Sequence, residues 1–170
     1  MTGTRWRSTL LTTLLGLAII ALSALVKPSY RLLYNASNSA PLGWYALVPA
    51  HDIGIDMLVF ARLPTGAAAL AAERGYLPRS VPLLKHVAAT HGHHVCSRGG
   101  SVTINGLFVG RALAQDGAGR SLQHWTQCRS LEDDELFLLG RDNQASFDSR
   151  YFGPVNVAAV VGEAIPLWTW

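Results

Sequence analysis

This chain has little charge, and none of it is gathered. Asp, Glu, Lys and Arg make up 15% of the 170 residues, against 49% apolar, leaner than an ordinary soluble domain. Such a composition excludes a disordered chain and points to a membrane segment or a well-buried core. The 14 Lys and Arg leave a net charge of +3 and form no basic block, so no nucleic-acid partner is expected. Cysteine is scarce: Cys96 and Cys128 make no CxxC and fit no zinc spacing. Repeats, low-complexity tracts and a Gly-x-Ser-x-Gly elbow are absent as well. His86, His91, His93 and His94 lie near Cys96, but no matching carboxylate pair accompanies them. The plainer reading is a polar loop before a hairpin, with no metal and no cofactor.

What the chain does have begins with an apolar run. Ser8 to Val26 carries no charged residue. As a helix it spans about 28 Å, close to the ~30 Å hydrocarbon core of a bilayer. Arg5 and Arg7 precede it, while Lys27 and Arg31 follow, so the charge rule is nearly balanced and the free amine tips the N-terminus to the cytoplasm. Ala21-Leu22-Ser23 offers a signal-peptide cut as the rival reading. Leu25 and Val26 prolong the apolar run past that cut, which favours a retained anchor ended by Lys27-Pro28. Both readings export the remaining chain. In an oxidising compartment Cys96 and Cys128 become a candidate disulfide, worth roughly 3–4 kcal/mol by loop closure; two unrelated buried thiols are the alternative.

Beyond the anchor, Asn35 to Tyr45 is rich in turn formers. Tyr45–Val48 and Met57–Phe60 read as short strands, and Ala67–Arg74 as a helix stopped by Gly75. Val81–Ala89 reads as an apolar strand. Arg98-Gly99-Gly100 links Val95–Cys96 to Val102–Ile104, and Asn105-Gly106 between Ile104 and Leu107 is a strong hairpin signal. Leu136–Leu139 and Val155–Val161 read as strands around the densest polar run of the chain, Gly140 to Val155. Many short strands with Gly-rich turns and little helix make a mainly-β domain.

Lys85 sits in the middle of an apolar strand. Lysine is almost never fully buried without a partner or a task, although an edge-strand lysine can also snorkel to solvent. A serine needs a base to become a nucleophile. An ordinary lysine, with a pKa of about 10.4, is less than a thousandth neutral at pH 7, and burial among apolar side chains would correct that. Ser39, Lys85 and the polar cluster Ser146 to Arg150 are thus raw material for a Ser/Lys site, although spacing alone cannot pair them.

Three blocks carry a resemblance. Asn35-Ala-Ser37-Asn-Ser39-Ala-Pro41-Leu-Gly43-Trp-Tyr45, Leu83-Leu84-Lys85-His86-Val87 and Asp142-Asn143-Gln-Ala-Ser146-Phe-Asp148-Ser149-Arg150-Tyr-Phe-Gly153-Pro154 resemble, in order, the nucleophile, general-base and last blocks of the type I signal peptidase family. They are most similar to its conjugative-transfer branch, the TraF peptidases, as is the C-terminal Pro166-Leu-Trp-Thr-Trp170. Ordinary signal peptidases carry Ser-x-x-Pro where this chain has Ser-x-Pro, which favours the TraF branch.

The resemblance implies a signal-peptidase-like coiled β-sheet or barrel catalytic domain over residues 35–170, behind one transmembrane helix. Residues 1–34 would form a cytoplasmic tip, the anchor (about 8–26) and a linker. It casts Ser39 as nucleophile and Lys85 as general base. Ser37 would supply an oxyanion-hole hydroxyl beside the Ser39 amide. Ser146 would orient the lysine, and Asp148 and Arg150 would brace the site by a salt bridge, with Asp148 also implicated as a third catalytic residue. The implied activity is a serine endopeptidase of the bacterial inner membrane, its catalytic domain in the periplasm. It would cleave an exported protein, above all a conjugative pilin precursor, after small residues. Other proteins of the conjugation apparatus are implied as partners. Water or the substrate's own amine can resolve the acyl-enzyme, giving a linear or a cyclic product. A general type I signal peptidase is the second reading, and a non-enzymatic anchored envelope module is the third.

Overall fold

The charge-free N-terminal run is helical as far as Leu25. In the computed structural model, which describes residues 3–25, 32–141 and 143–170, helix α1 spans Gly3–Leu25. Its apolar side chains, among them Leu10, Leu14, Leu17, Ile20 and Leu22, are exposed. The hydroxyls of Thr12, Thr13 and Ser23 donate to carbonyls one turn back, so these polar groups are satisfied within the helix itself. Among the described residues, no helix is long and apolar enough to cross a membrane. The Lys27-Pro28 stop lies outside the described residues, as do Arg31 and Asp142.

Residues 1–30 and 31–170 are separate compact units. The second unit is mainly β. Its elements are β1 (Leu32–Asn35), β2 (Gly43–Val48), β3 (Leu58–Ala61), helix α2 (Thr65–Glu73), β4 (Leu83–Ala89), β5 (His94–Arg98), β6 (Ser101–Ile104), β7 (Leu107–Arg111), β8 (Cys128–Ser130), β9 (Glu135–Leu139), the short helix α3 (Ser149–Phe152), β10 (Val155–Asn156) and β11 (Val160–Thr169). A seven-stranded sheet runs β1-β2-β11-β3-β4-β9-β10, and a four-stranded sheet runs β7-β6-β5-β8.

Period-2 alternation builds the core. Val59, Ala61, Leu83, Val87 and Leu138 form one buried cluster, and Tyr45, Leu47, Phe60, Leu84 and Ala164 form another. A third joins Val95, Val102 and Ile104 of the four-stranded sheet to Phe137 and Leu139 of β9. At the β6–β7 turn both central residues have positive φ, 51° at Asn105 and 82° at Gly106, as the primed hairpin turn requires. Cys96 and Cys128 are register partners on β5 and β8 and are joined by a disulfide.

Three boundaries differ from the sequence expectation. The run Val155–Val161 is two strands, not one. The Asn156 side chain accepts from the Ala158 amide, which turns the chain into a 3₁₀ turn at Val157–Ala159 before β11 begins. β11 then continues through Pro166, where its register with β2 shifts, an irregularity that lets a proline sit in a strand. Finally, β1 lies in the segment read as linker.

Candidate active site

One cleft of about 550 Å³ is lined by the Asn35–Ser39 turn, β4, the loop after β9 and the connection between β7 and β8, together with residues of β1, β3, α3 and the stretch from α2 to Leu77. Ser39 and Lys85 both line it, as do Ser37 and Ser146.

The turn that carries Ser39 is built by one buried asparagine. Asn35 ends β1, and its Nδ2 reaches the carbonyls of Ser37, Ala40 and Pro41 at 2.9, 2.9 and 3.0 Å. Its Oδ1 accepts from the Ser37 amide at 3.1 Å and from the Ser37 hydroxyl at 2.8 Å. Tyr45, one strand over, donates its hydroxyl to the Pro41 carbonyl at 2.7 Å. These bonds replace the backbone ladder that a tight turn gives up and fix the chain on both sides of Ser39. Ser39 Oγ lies 2.9 Å from Ser37 Oγ. With the single Ser37 hydrogen given to Asn35, the Ser39 hydroxyl is the donor in this pair.

Lys85 stands at the centre of β4, opposite Val59 of β3. Alternation puts it on the face of Leu83 and Val87, where water is excluded; the residue is 3% exposed. Its Nζ donates to Ser146 Oγ at 2.5 Å. Burial pushes the Lys85 amine down from 10.5 to about 8; the Asp148 charge opposes that fall and the Arg150 charge adds to it. Gly140 makes the meeting possible. A Cβ there would come within 2.3 Å of Ser146 Oγ, 2.6 Å of Ser146 Cβ and 3.4 Å of Lys85 Nζ.

Behind Ser146, Asp148 is fully buried and Arg150 nearly so. Arg150 Nε and Nη2 donate to the two Asp148 oxygens at 2.8 and 2.7 Å, the bidentate geometry a guanidinium favours. Asp148 Oδ2 also accepts the Gly140 amide at 2.9 Å. Arg150 spends its remaining donors on the carbonyls of Arg111, Gln144, Asn143 and Ser146. The pair thus holds the loop that carries Ser146, and the Asp148 oxygens face Arg150 and Gly140. A buried ion pair of this kind is stable only when its remaining donors and acceptors are satisfied, and here they are.

The histidines scatter. His91 pairs with exposed Asp133, His93 faces the Thr90 carbonyl, and no group of three metal-ligating side chains gathers among the described residues. Sequence reasoning did not single out Asn35 and Gly140, because both are common turn residues; Asn35 works through carbonyls of its own turn, and Gly140 through its packing against Ser146 and Lys85.

The chain belongs to the signal peptidase, peptidase S26 family, whose family model matches residues 4–169. It is 34% identical to the probable conjugal transfer protein TraF of Sinorhizobium fredii (strain NBRC 101917 / NGR234), over 92% of this chain and 89% of that protein. To the plasmid transfer protein TraF of Escherichia coli it is 30% identical, over 80% of this chain and 82% of the relative. A signal peptidase I of Enterococcus faecalis V583 superposes with a TM-score of 0.39 at 21% identity, covering 68% of this chain and 98% of that one.

Proposed function

We propose that this protein is a serine endopeptidase in which Ser39 is the nucleophile and Lys85 its general base. The observation that carries the reading is a buried lysine held by a serine hydroxyl and sharing a cleft with a serine on a braced turn. With a pKa of about 8, about a tenth of Lys85 is neutral at pH 7, a few hundred times more than an ordinary lysine offers.

Neutral Lys85 takes the Ser39 proton as Oγ attacks the scissile carbonyl. The Ser39 amide meets the oxyanion, joined by the Ser37 hydroxyl once it turns away from Asn35 Oδ1. The Lys85 ammonium then returns the proton to the leaving amine, which departs and leaves an ester on Ser39. Water, or an amine of the substrate itself, attacks that ester with Lys85 again as base. Ser146 orients the amine, while Asp148 and Arg150 brace the loop that carries it.

Helix α1 supplies the anchor in this reading, and residues 35–170 work on the periplasmic side of the inner membrane. The support is the charge-free run from Ser8 to Val26 together with exposed apolar side chains along α1. The substrate is an exported precursor cut after small residues. Two of the relatives are named as plasmid and conjugal transfer proteins, which favours a pilin precursor of a conjugation system over a broad set of preproteins. Co-expression with such a precursor tests this. Ser39→Ala and Lys85→Ala should each leave the precursor unprocessed while the variants accumulate as folded protein, and processing by either variant would sink the pairing.

A further inference from the structure

The disulfide between Cys96 and Cys128 spans a sequence separation of 32 residues. The loop it closes carries one wall of the cleft that Ser39 and Lys85 line. Between β7 and β8 the chain runs irregularly from Ala112 to Gln127, crossed by the bridge Gln115–Ser121. Leu113, Gln115, Asp116 and Leu122 of this connection line the cleft. We propose that the disulfide is a redox switch. Oxidised, it holds this wall and the brace behind Lys85 in place; reduced, it lets the connection open and the peptidase lose activity. The proposal rests on the peptidase reading above and adds a control to it.

The two ends of the connection are held unequally. At the first, Ala112 continues from β7 and its amide donates to the Gly100 carbonyl at 2.7 Å. At the second, β8 is a strand of three residues at the edge of its sheet, paired with β5. There the Ser97 amide donates to the Gln127 carbonyl at 2.8 Å. The Ser97 hydroxyl, however, is buried and finds no hydrogen-bond partner among the described residues. A buried hydroxyl without a partner is destabilising, and admitting water relieves it. This biases β5 and the leading end of β8 to part, and the covalent link opposes the bias. Beyond Cys128 the chain is held without the link. Arg129 donates twice to the Glu135 carboxylate, at 2.6 and 2.7 Å, and Leu131 is buried in one cluster with Phe137. Opening therefore stops near Cys128 and spares the sheets.

Opening reaches the chemistry through two contacts. The Trp125 amide donates to the Arg150 carbonyl at 3.0 Å, and the Leu113 amide donates to the Tyr151 hydroxyl at 3.0 Å. The Trp125 ring also packs on Gly153, where a Cβ would lie 2.7 Å from it. Arg150 is the residue that braces the Ser146 loop, and Ser146 holds Lys85. The redox step balances in itself. Two thiols become one S–S bond, and two electrons and two protons pass to a disulfide oxidant of the envelope, which becomes a dithiol; a dithiol reductant reverses the exchange. Both cysteines are partly exposed, so an exchange partner can reach them. A chain that meets such an oxidant only after export stays inactive until then.

The test uses the full-length protein in three forms: oxidised, reduced with dithiothreitol, and reoxidised with oxidised glutathione. A Cys96→Ser/Cys128→Ser variant stands in for the reduced form without the reagent. Hydrogen exchange is read by mass spectrometry without substrate, and kcat/KM is read on a synthetic peptide spanning a precursor cut site. The reduced protein and the double variant should lose exchange protection over residues 112–128 and keep it in β4 and β9. They should also fall by about tenfold or more in kcat/KM, and reoxidation should restore both readouts in the wild type only. Ser97→Ala removes the unpartnered hydroxyl, so its reduced form should stay more closed and regain about fivefold in kcat/KM. A merely stabilising disulfide lowers Tm and leaves both readouts alone well below Tm. Full activity in the reduced folded protein, unchanged protection over residues 112–128, or loss of protection across all strands on reduction overturns the proposal. Redox-dependent protection over residues 112–128 with no cleavage by any form supports the switch in the wall and overturns the peptidase reading instead.

Discussion

The Lys85 ammonium donates to the Ser146 hydroxyl at 2.5 Å, with Gly140 packed against both side chains. This contact joins the middle of one strand to a loop 61 residues downstream. Most of the functional reading depends on it, because it orients the amine while burial keeps its pKa low.

The pH dependence follows from that low pKa. With neutral Lys85 as the proposed base, kcat/KM should rise tenfold per pH unit below about 8 and level off above it. A profile flat from pH 6 to 9 would contradict Lys85 as the base.

Stability carries the same signature with a defined sign. The folded pKa of about 8 lies below the unfolded value of 10.5, so the unfolded chain holds more protons between these limits. Stability should therefore rise with pH across that window, by roughly 3 kcal/mol if Lys85 acts alone. Lys85→Met should abolish activity, remove this rise in urea-unfolding series, and be at least as stable as wild type at pH 7.

Gly140→Ala should lower kcat by about a hundredfold and stability by about 1–3 kcal/mol, because its Cβ meets Ser146. Adding Ser146→Gly removes the clash, so the double variant should regain stability and still lack the hydroxyl that orients Lys85. Measured as a cycle, the two substitutions should couple by at least 1 kcal/mol.

Breaking the Asp148–Arg150 pair from one side leaves a buried charge alone. Asp148→Ala and Arg150→Ala should each cost about 3–5 kcal/mol, read as a fall in Tm. A loss of activity at unchanged Tm in Asp148→Ala would instead assign Asp148 to the chemistry.

The sequence made some of this legible and hid the rest for physical reasons. Strands with clean alternation or strong turn signals, such as β4 and the Asn105-Gly106 hairpin, are local events, and their residues announce them. The long β11 is not, because it forms by pairing with β2 more than a hundred residues upstream. Lys85 stood out because a charge in an apolar strand breaks the pattern, while its contact with Ser146 depends on how β9 turns at Gly140. Asn35 looked like an ordinary turn residue, since sequence does not show which of the nearby carbonyls its side chain reaches, although all lie within six residues.

The central claim is that a substrate acyl group passes through Ser39. Acid-quenching the full-length protein during turnover, then digesting it and weighing the peptides, tests this directly. The expected result is a substrate-derived mass increment on the peptide that contains Ser39, absent from Ser39→Ala and from Lys85→Ala. A precursor that is processed with the increment on another peptide, or with Ser39 replaced, would contradict it.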